Sequence, residues 1–193
     1  PKLVKENAAW YTQDQLYDFF ISEGWQPNTT KWVTFSGGNP AIHDLSRLLN
    51  RLHLAQFKVN VETQGTIWQP WLNSVDSLTI SPKGPGMGEK HDPEVFHKFL
   101  TTFLNYQRTE RPRWEPPKLC IKVVVFDQRD LEFAKDVYSQ VLEVLYMLEH
   151  EEVFYLSLGN VNPPLPVEEE GKPRTFDIEG QLAIYRTLTE DIM

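Results

Sequence analysis

The sequence predicts an α/β fold in which parallel strands alternate with helices, as an open sheet or an incomplete (β/α) barrel. Three observations carry that prediction. Short runs rich in β-branched and aromatic residues recur at 32–35, 57–63, 78–80, 119–126 and 154–158. Most are followed by a segment with helical spacing of apolar residues, and such alternation argues for parallel strands joined by right-handed crossovers. The run at 119–126 contains Val123-Val124-Val125, the pattern expected of a central parallel strand covered on both faces.

Each element has its own warrant. Thr12 is a suitable N-cap for a helix from Gln13 to about Glu23, with Leu16, Phe19 and Phe20 as its apolar stripe and Gly24 as its stop. Lys31 to Phe35 reads as a short buried strand that runs into Ser36-Gly37-Gly38-Asn39-Pro40. A helix from Ala41 to Ala55 would place Ile42, Leu45, Leu48, Leu49 and Leu52 on one face. In the strand Phe57–Thr63, Val59 and Val61 alternate with Lys58, Asn60 and Glu62. Trp68 to Asn73 suggests a helical turn or packed loop around Pro70, and Leu78–Ile80 a third strand. Gly84 to Gly88 is a loop by composition, the loop Gly84–Lys90 is a candidate lid, and Asp92-Pro93 opens a helix carrying Val95, Phe96, Phe99, Leu100 and Phe103. The stretch 108–117 is a surface connection, 130–148 a long helix, 162–175 a Pro- and Glu-rich loop, and 177–192 a last helix.

Composition bounds the function. A chain of 193 residues, 40% hydrophobic and 24% charged, suits one α/β domain spanning 1–193. The net charge of −8 and the lack of a Lys/Arg cluster argue against a nucleic-acid partner. No apolar run reaches the roughly 18 residues of a membrane span, and no signal peptide precedes the first element, so a soluble, cytoplasmic protein is expected. The single cysteine, Cys120, excludes an internal disulfide and an all-cysteine metal site within this sequence. Cys120 itself is expected to be an inert core thiol.

In a parallel α/β arrangement ligands bind at the C-terminal ends of the strands. Paired glycines there let a ligand approach the backbone. The residues just past each strand are Ser36-Gly37-Gly38-Asn39, Glu62 to Thr66, Ser81-Pro82-Lys83, Asp127, and Ser157 with Gly159-Asn160. This small, polar set with one cation suits a zwitterionic or polyhydroxylated small molecule. Bland alternatives stand beside each: Ser, Thr and Asn also cap helices, Glu62 could be a solvated strand end, and Lys83 a surface lysine. Zinc-type His spacing, dinucleotide and phosphate glycine loops, and a nucleophile elbow are all absent from the sequence.

Ser36-Gly37-Gly38-Asn39-Pro40, Val61 to Thr66, Ile80-Ser81-Pro82-Lys83 and Cys120 to Val125 resemble, in order and spacing, the 7-carboxy-7-deazaguanine synthases. These are radical S-adenosylmethionine enzymes of queuosine and deazapurine biosynthesis, built on an incomplete α/β barrel of parallel strands. The resemblance implies conversion of 6-carboxy-5,6,7,8-tetrahydropterin to 7-carboxy-7-deazaguanine, a lyase reaction, using S-adenosylmethionine, a four-iron cluster (4Fe-4S) and magnesium. It implies that Gly37, Gly38 and Asn39 sit at the amino group of the methionine moiety and that Ser81, Pro82 and Lys83 line the same cofactor site. Ser157 and Asn160 are implied beside it, Ser36 at the pterin, and Glu62 and Lys122 as further substrate contacts. Most members carry a glutamate where Asn39 stands. A small-molecule substrate is the expected partner, with a homodimer admitted and no nucleic acid or membrane.

The resemblance has one large departure. The family's cluster-binding loop, with three cysteines and a magnesium-binding threonine, has no counterpart here, and Cys120 lies on the wrong strand to replace it. A chain truncated at both ends is therefore expected, without catalysis of its own. The alternative is a non-catalytic domain that binds a small ligand or a partner on the same fold. Reconstitution with iron and sulfide, followed by S-adenosylmethionine and dithionite, is expected to yield no 5′-deoxyadenosine above background. A clear yield would contradict this reading.

Overall fold

The computed structural model describes residues 10–26, 32–110, 117–148, 153–159 and 178–190. Strands β1 (Trp32–Phe35), β2 (Lys58–Thr63), β3 (Ser77–Ile80), β4 (Lys118–Val125) and β5 (Val153–Leu158) form one sheet in chain order, every neighbour parallel. Helices α1 (Gln13–Ser22), α2 (Ser46–Leu54), α3 (Pro93–Glu110), α4 (Gln128–Leu148) and α5 (Ile178–Glu190) alternate with them, alongside 3-10 turns at Pro40–Ile42, Pro70–Ser74 and Pro85–Met87. Because direction never reverses, the C-terminal ends of all five strands face one rim. The α/β class and parallel order are as the sequence predicts.

The two faces of the sheet differ. Val59, Val61, Leu78, Ile80, Leu119, Ile121, Val123 and Val125 are buried in one cluster with Leu48, Leu49 and Leu52 of α2, Phe96, Leu100 and Phe103 of α3, and Val137 and Val141 of α4. The opposite face carries Thr34, Asn60, Glu62, Thr79, Cys120, Lys122 and Ser157, half-buried or exposed. This corrects the reading of β4 as covered on both faces. Burial alternates along it, and a run of three valines cannot report which face lacks a helical layer; Lys122 in mid-strand was the available sign. Cys120 accordingly lies on the open face and not in the core.

Two helices depart from the expected bounds or burial. The segment after β1 is not one helix from Ala41. Asn39 caps the 3-10 turn Pro40–Ile42, and the Asp44 carboxylate then accepts the Ser46 N–H at 2.9 Å, so that α2 starts at Ser46. Ile42 falls in the interrupted stretch and is 60% exposed. Helix α1 begins with a capping box in which Thr12 and Gln15 exchange side-chain to backbone hydrogen bonds, and Gly24 follows it at φ 85. Asp14 and Asp18 pair with Arg51 of α2 at 3.0 Å each, while Phe19 of the expected apolar stripe is largely exposed.

Asp76 fixes the entry side of the sheet. Its N–H donates to Val59 O at 2.9 Å, and its carbonyl accepts from Lys118 N at 3.0 Å. Its carboxylate accepts the Val59 N–H at 2.7 Å and meets His53 Nε2 at 3.1 Å. One residue thus ties the starts of β2, β3 and β4. Asp76→Ala removes the side-chain acceptor of a buried N–H, which costs about 1–3 kcal/mol. The expected result is a lower urea midpoint at unchanged slope; an unaltered midpoint would contradict the assignment.

Candidate functional site

The turn after β1 is built around Gly37 and Gly38, at φ 84 and 55. A Cβ on either would meet nothing within 4 Å, so these glycines serve backbone conformation and access, not packing. Gly65, at the end of β2, is different: a Cβ there would lie 2.6 Å from the Ile80 side chain. Asn39 joins the two turns. Its Oδ1 accepts from Thr63 Oγ1 at 2.8 Å and from Ala41 N at 3.2 Å, and its Nδ2 donates to Thr66 Oγ1 at 3.2 Å.

Gly37 and Gly38, Glu62 with Thr63 and Gln64, Ser81 with Lys83, and Met87 with Glu89 line one cleft of about 280 Å³ at the C-terminal rim. The glycine turn and Lys83, separated in sequence by more than an entire strand–helix unit, therefore meet. Ser81 is buried, and Lys83 is half-buried with its Nζ 3.4 Å from the Ser81 hydroxyl. Among the described residues no carboxylate lies within ion-pair distance of Lys83. Glu62 forms an ion pair with Lys122 across the intervening β3, on the open face.

The remaining sequence-predicted residues sit elsewhere around this cleft. Asn39 does not line it, Pro82 is buried, Ser36 is exposed next to the glycines, and Lys122 is linked to it through Glu62. Ser157 is half-buried on β5 and does not line the cleft, and Asn160 lies outside the described residues. Asp127 acts as a cap: its carboxylate accepts from the backbone N–H groups of Arg129 and Asp130 at the start of α4. The Arg129 guanidinium beside it holds that carboxyl below the usual range. Burial raises the Cys120 thiol, which stays protonated at neutral pH and is a poor nucleophile.

Sequence reasoning missed the residue that holds the side of the cleft formed by Met87 and Glu89. Asp130 is fully buried, and its carboxylate accepts the Gly86 N–H at 2.7 Å and the Phe126 N–H at 3.0 Å. Gly86 leaves room for it, since a Cβ there would lie 2.1 Å from Oδ2. The loop expected to act as a lid is thus pinned at Gly86. Its anchor is 44 positions away in sequence, a distance no local pattern reports.

Several known proteins are similar to this chain. No protein-family model matches it. The solved structure of Streptococcus suis SuiB bound to precursor peptide SuiA superposes on 96% of this chain with a TM-score of 0.55, at 12% identity and covering 40% of that protein. The likeness shows a shared α/β fold with a parallel sheet. The sequence comparison is more specific. The 7-carboxy-7-deazaguanine synthase of Bacillus subtilis is 31% identical over 158 residues, 81% of this chain and 58% of that protein. The synthase of the same name from Bacillus cereus is 30% identical over 147 residues, 76% of this chain and 56% of that protein. This chain is similar to the 7-carboxy-7-deazaguanine synthases, and it spans less than two thirds of the length of the curated relatives it matches.

The anchored wall gives a direct test. Asp130→Ala strips the acceptor from two backbone N–H groups, so the Gly86 amide is expected to exchange with solvent faster while amides of β2 and β3 keep their protection. Unchanged exchange at Gly86 would show that the loop does not depend on this carboxylate.

Proposed function

We propose that this chain forms the cofactor- and substrate-binding wall of a 7-carboxy-7-deazaguanine synthase, which converts 6-carboxy-5,6,7,8-tetrahydropterin to 7-carboxy-7-deazaguanine. The observation that carries the proposal is the meeting of Gly37, Gly38, Ser81 and Lys83 in one polar cleft, on a chain whose relatives bear that name. The fit to S-adenosylmethionine is chemical. Gly37 and Gly38 leave backbone groups open to an amino-acid moiety, and the ammonium of Lys83 suits its carboxylate. Glu62, which lines the cleft, and Lys122 present a charged pair on the open face, where a pterin carrying a carboxylate and ring N–H groups would find both an acceptor and a cation. Ser36, next to the glycines, is a further contact under this proposal.

The four-iron cluster does not fit these residues. The sequence holds one cysteine, and among the described residues no group of three His, Cys, Asp or Glu is placed to hold a metal ion. The role proposed for this chain is therefore to bind and orient the reactants, which lowers the barrier through positioning. Reductive cleavage of S-adenosylmethionine is not a step these residues perform. Among the described residues no helix is long and apolar enough to cross a membrane, and a cytoplasmic location is part of the proposal. The single cysteine favours a second reading, a small-ligand-binding domain without catalysis.

Calorimetric titration of the chain with S-adenosylmethionine tests the site. Binding is expected, and Lys83→Ala is expected to weaken it at least about tenfold, the loss of a hydrogen bond to a charged group. A variant that binds as tightly as the parent would overturn the placement of the cofactor.

A further inference from the structure

The loop that carries Met87 and Glu89 to the cleft has a second attachment beyond Gly86, at its far end. His91 directly precedes Asp92, whose Oδ1 accepts the N–H groups of Glu94 and Val95 at 3.1 and 3.2 Å and so caps α3. At a helix start the residue before the cap often packs on the fourth helical residue, and that contact fixes the angle at which the chain enters. Here the two are His91 and Phe96, with ring centroids 5.4 Å apart. Phe133 of α4 meets the same imidazole at 5.1 Å. Phe133 also packs on Gly84, where a Cβ would lie 2.5 Å from its ring. One aromatic side chain of α4 therefore holds both ends of the loop, and Asp130, a turn earlier, holds Gly86 between them.

Leucine or phenylalanine would serve the contact with Phe96 as well; histidine adds a proton. His91 Nε2 is buried without a hydrogen-bond partner. Gln140 of α4 faces the ring, and its Oε1 is likewise buried without one. The groups that face His91 are thus Phe96 from α3, and Phe133 and Gln140 from α4, all uncharged. Asp92 is the charged group that acts on it among the described residues, and its carboxylate is committed to the cap. Burial holds the imidazole below its ordinary range, with Gln140 and Asp92 pulling the other way. The positive end of the α3 dipole also disfavours a cation there.

We propose that His91 is a proton-operated latch on the cleft: neutral, it seats between α3 and α4 and closes the loop 84–91; protonated, it leaves that seat and releases the side formed by Met87 and Glu89. Above about pH 6.5 the ring is neutral whether the loop is open or closed, and closure has its full stability. Below that, the open form takes up the proton and the closed form resists it. Closure then weakens about tenfold per pH unit, until the pH reaches the depressed value of the closed loop. The latch does not depend on which ligand the cleft binds.

Hydrogen exchange on the full chain, corrected for the intrinsic pH dependence of amide exchange, reads the latch. The amides of Gly86, Met87 and Gly88 are hydrogen-bonded in the closed loop, to Asp130, Gly84 and Pro85. From pH 7.5 to 5.5, a window above the ordinary carboxylate range, their protection is expected to fall about tenfold relative to amides of β2 and β3. His91→Phe keeps a ring against Phe96 and carries no titrating group, so its loop is expected to stay equally protected at both pH values. Proton NMR of the His91 imidazole in the unaltered chain is a second measurement that needs no variant, and a midpoint below about 6.5 is expected. Constant protection of these three amides in the unaltered chain would overturn the inference. An equal loss in His91→Phe would overturn it as well, by placing the titration elsewhere. So would an imidazole that takes up its proton at or above about 6.5 while the loop stays protected.

Discussion

Everything at the rim depends on a ladder of parallel strands laid down in chain order. Parallel pairing forces each connection to cross the sheet's length, and five strands running one way deliver five turns to a single edge. Short strands with small polar tips then become a cleft without any one of them being a motif. The tie at Asp76 secures the opposite edge, where β2, β3 and β4 begin. Register errors there would carry the polar tips out of line, because a slip of one residue exchanges the two faces of a strand.

The second organising feature is the asymmetry of the sheet. One face supplies the hydrophobic cluster that stabilises the domain, and the other holds Asn60, Glu62, Cys120 and Lys122 in a half-buried setting. An ion pair such as Glu62–Lys122 gains little for stability in that position, because desolvation offsets much of the attraction. Asn39 and Asp130 work at a different level: each uses one side chain to fasten two segments distant in sequence, so the cleft is shaped by hydrogen bonds that involve no ligand.

Much of this was legible in the sequence. Strand positions follow from β-branched runs, and the start of α1 follows from Thr12 with Gln15 three residues later. That the glycine turn, Ser81 and Lys83 would meet at one rim was readable because parallel strands deliver their C-terminal ends to the same edge. What was not legible depends on distant partners. The break at His43–Leu45 arises from Asn39 and Asp44 competing for local N–H groups, which interrupts a stretch whose apolar spacing suits one helix. The one-sided cover of β4 is a property of where helices pack, and Asp130 is indistinguishable by sequence from any acidic residue in a first helical turn.

The central claim is that separated turns act as one cradle. Hydrogen–deuterium exchange of the chain with and without saturating S-adenosylmethionine addresses all of them at once. The account predicts that residues 36–39, 62–66 and 81–89 gain protection together while α1 and the outer side of α4 do not change. Protection confined to one of these stretches, or located on α1, would contradict it.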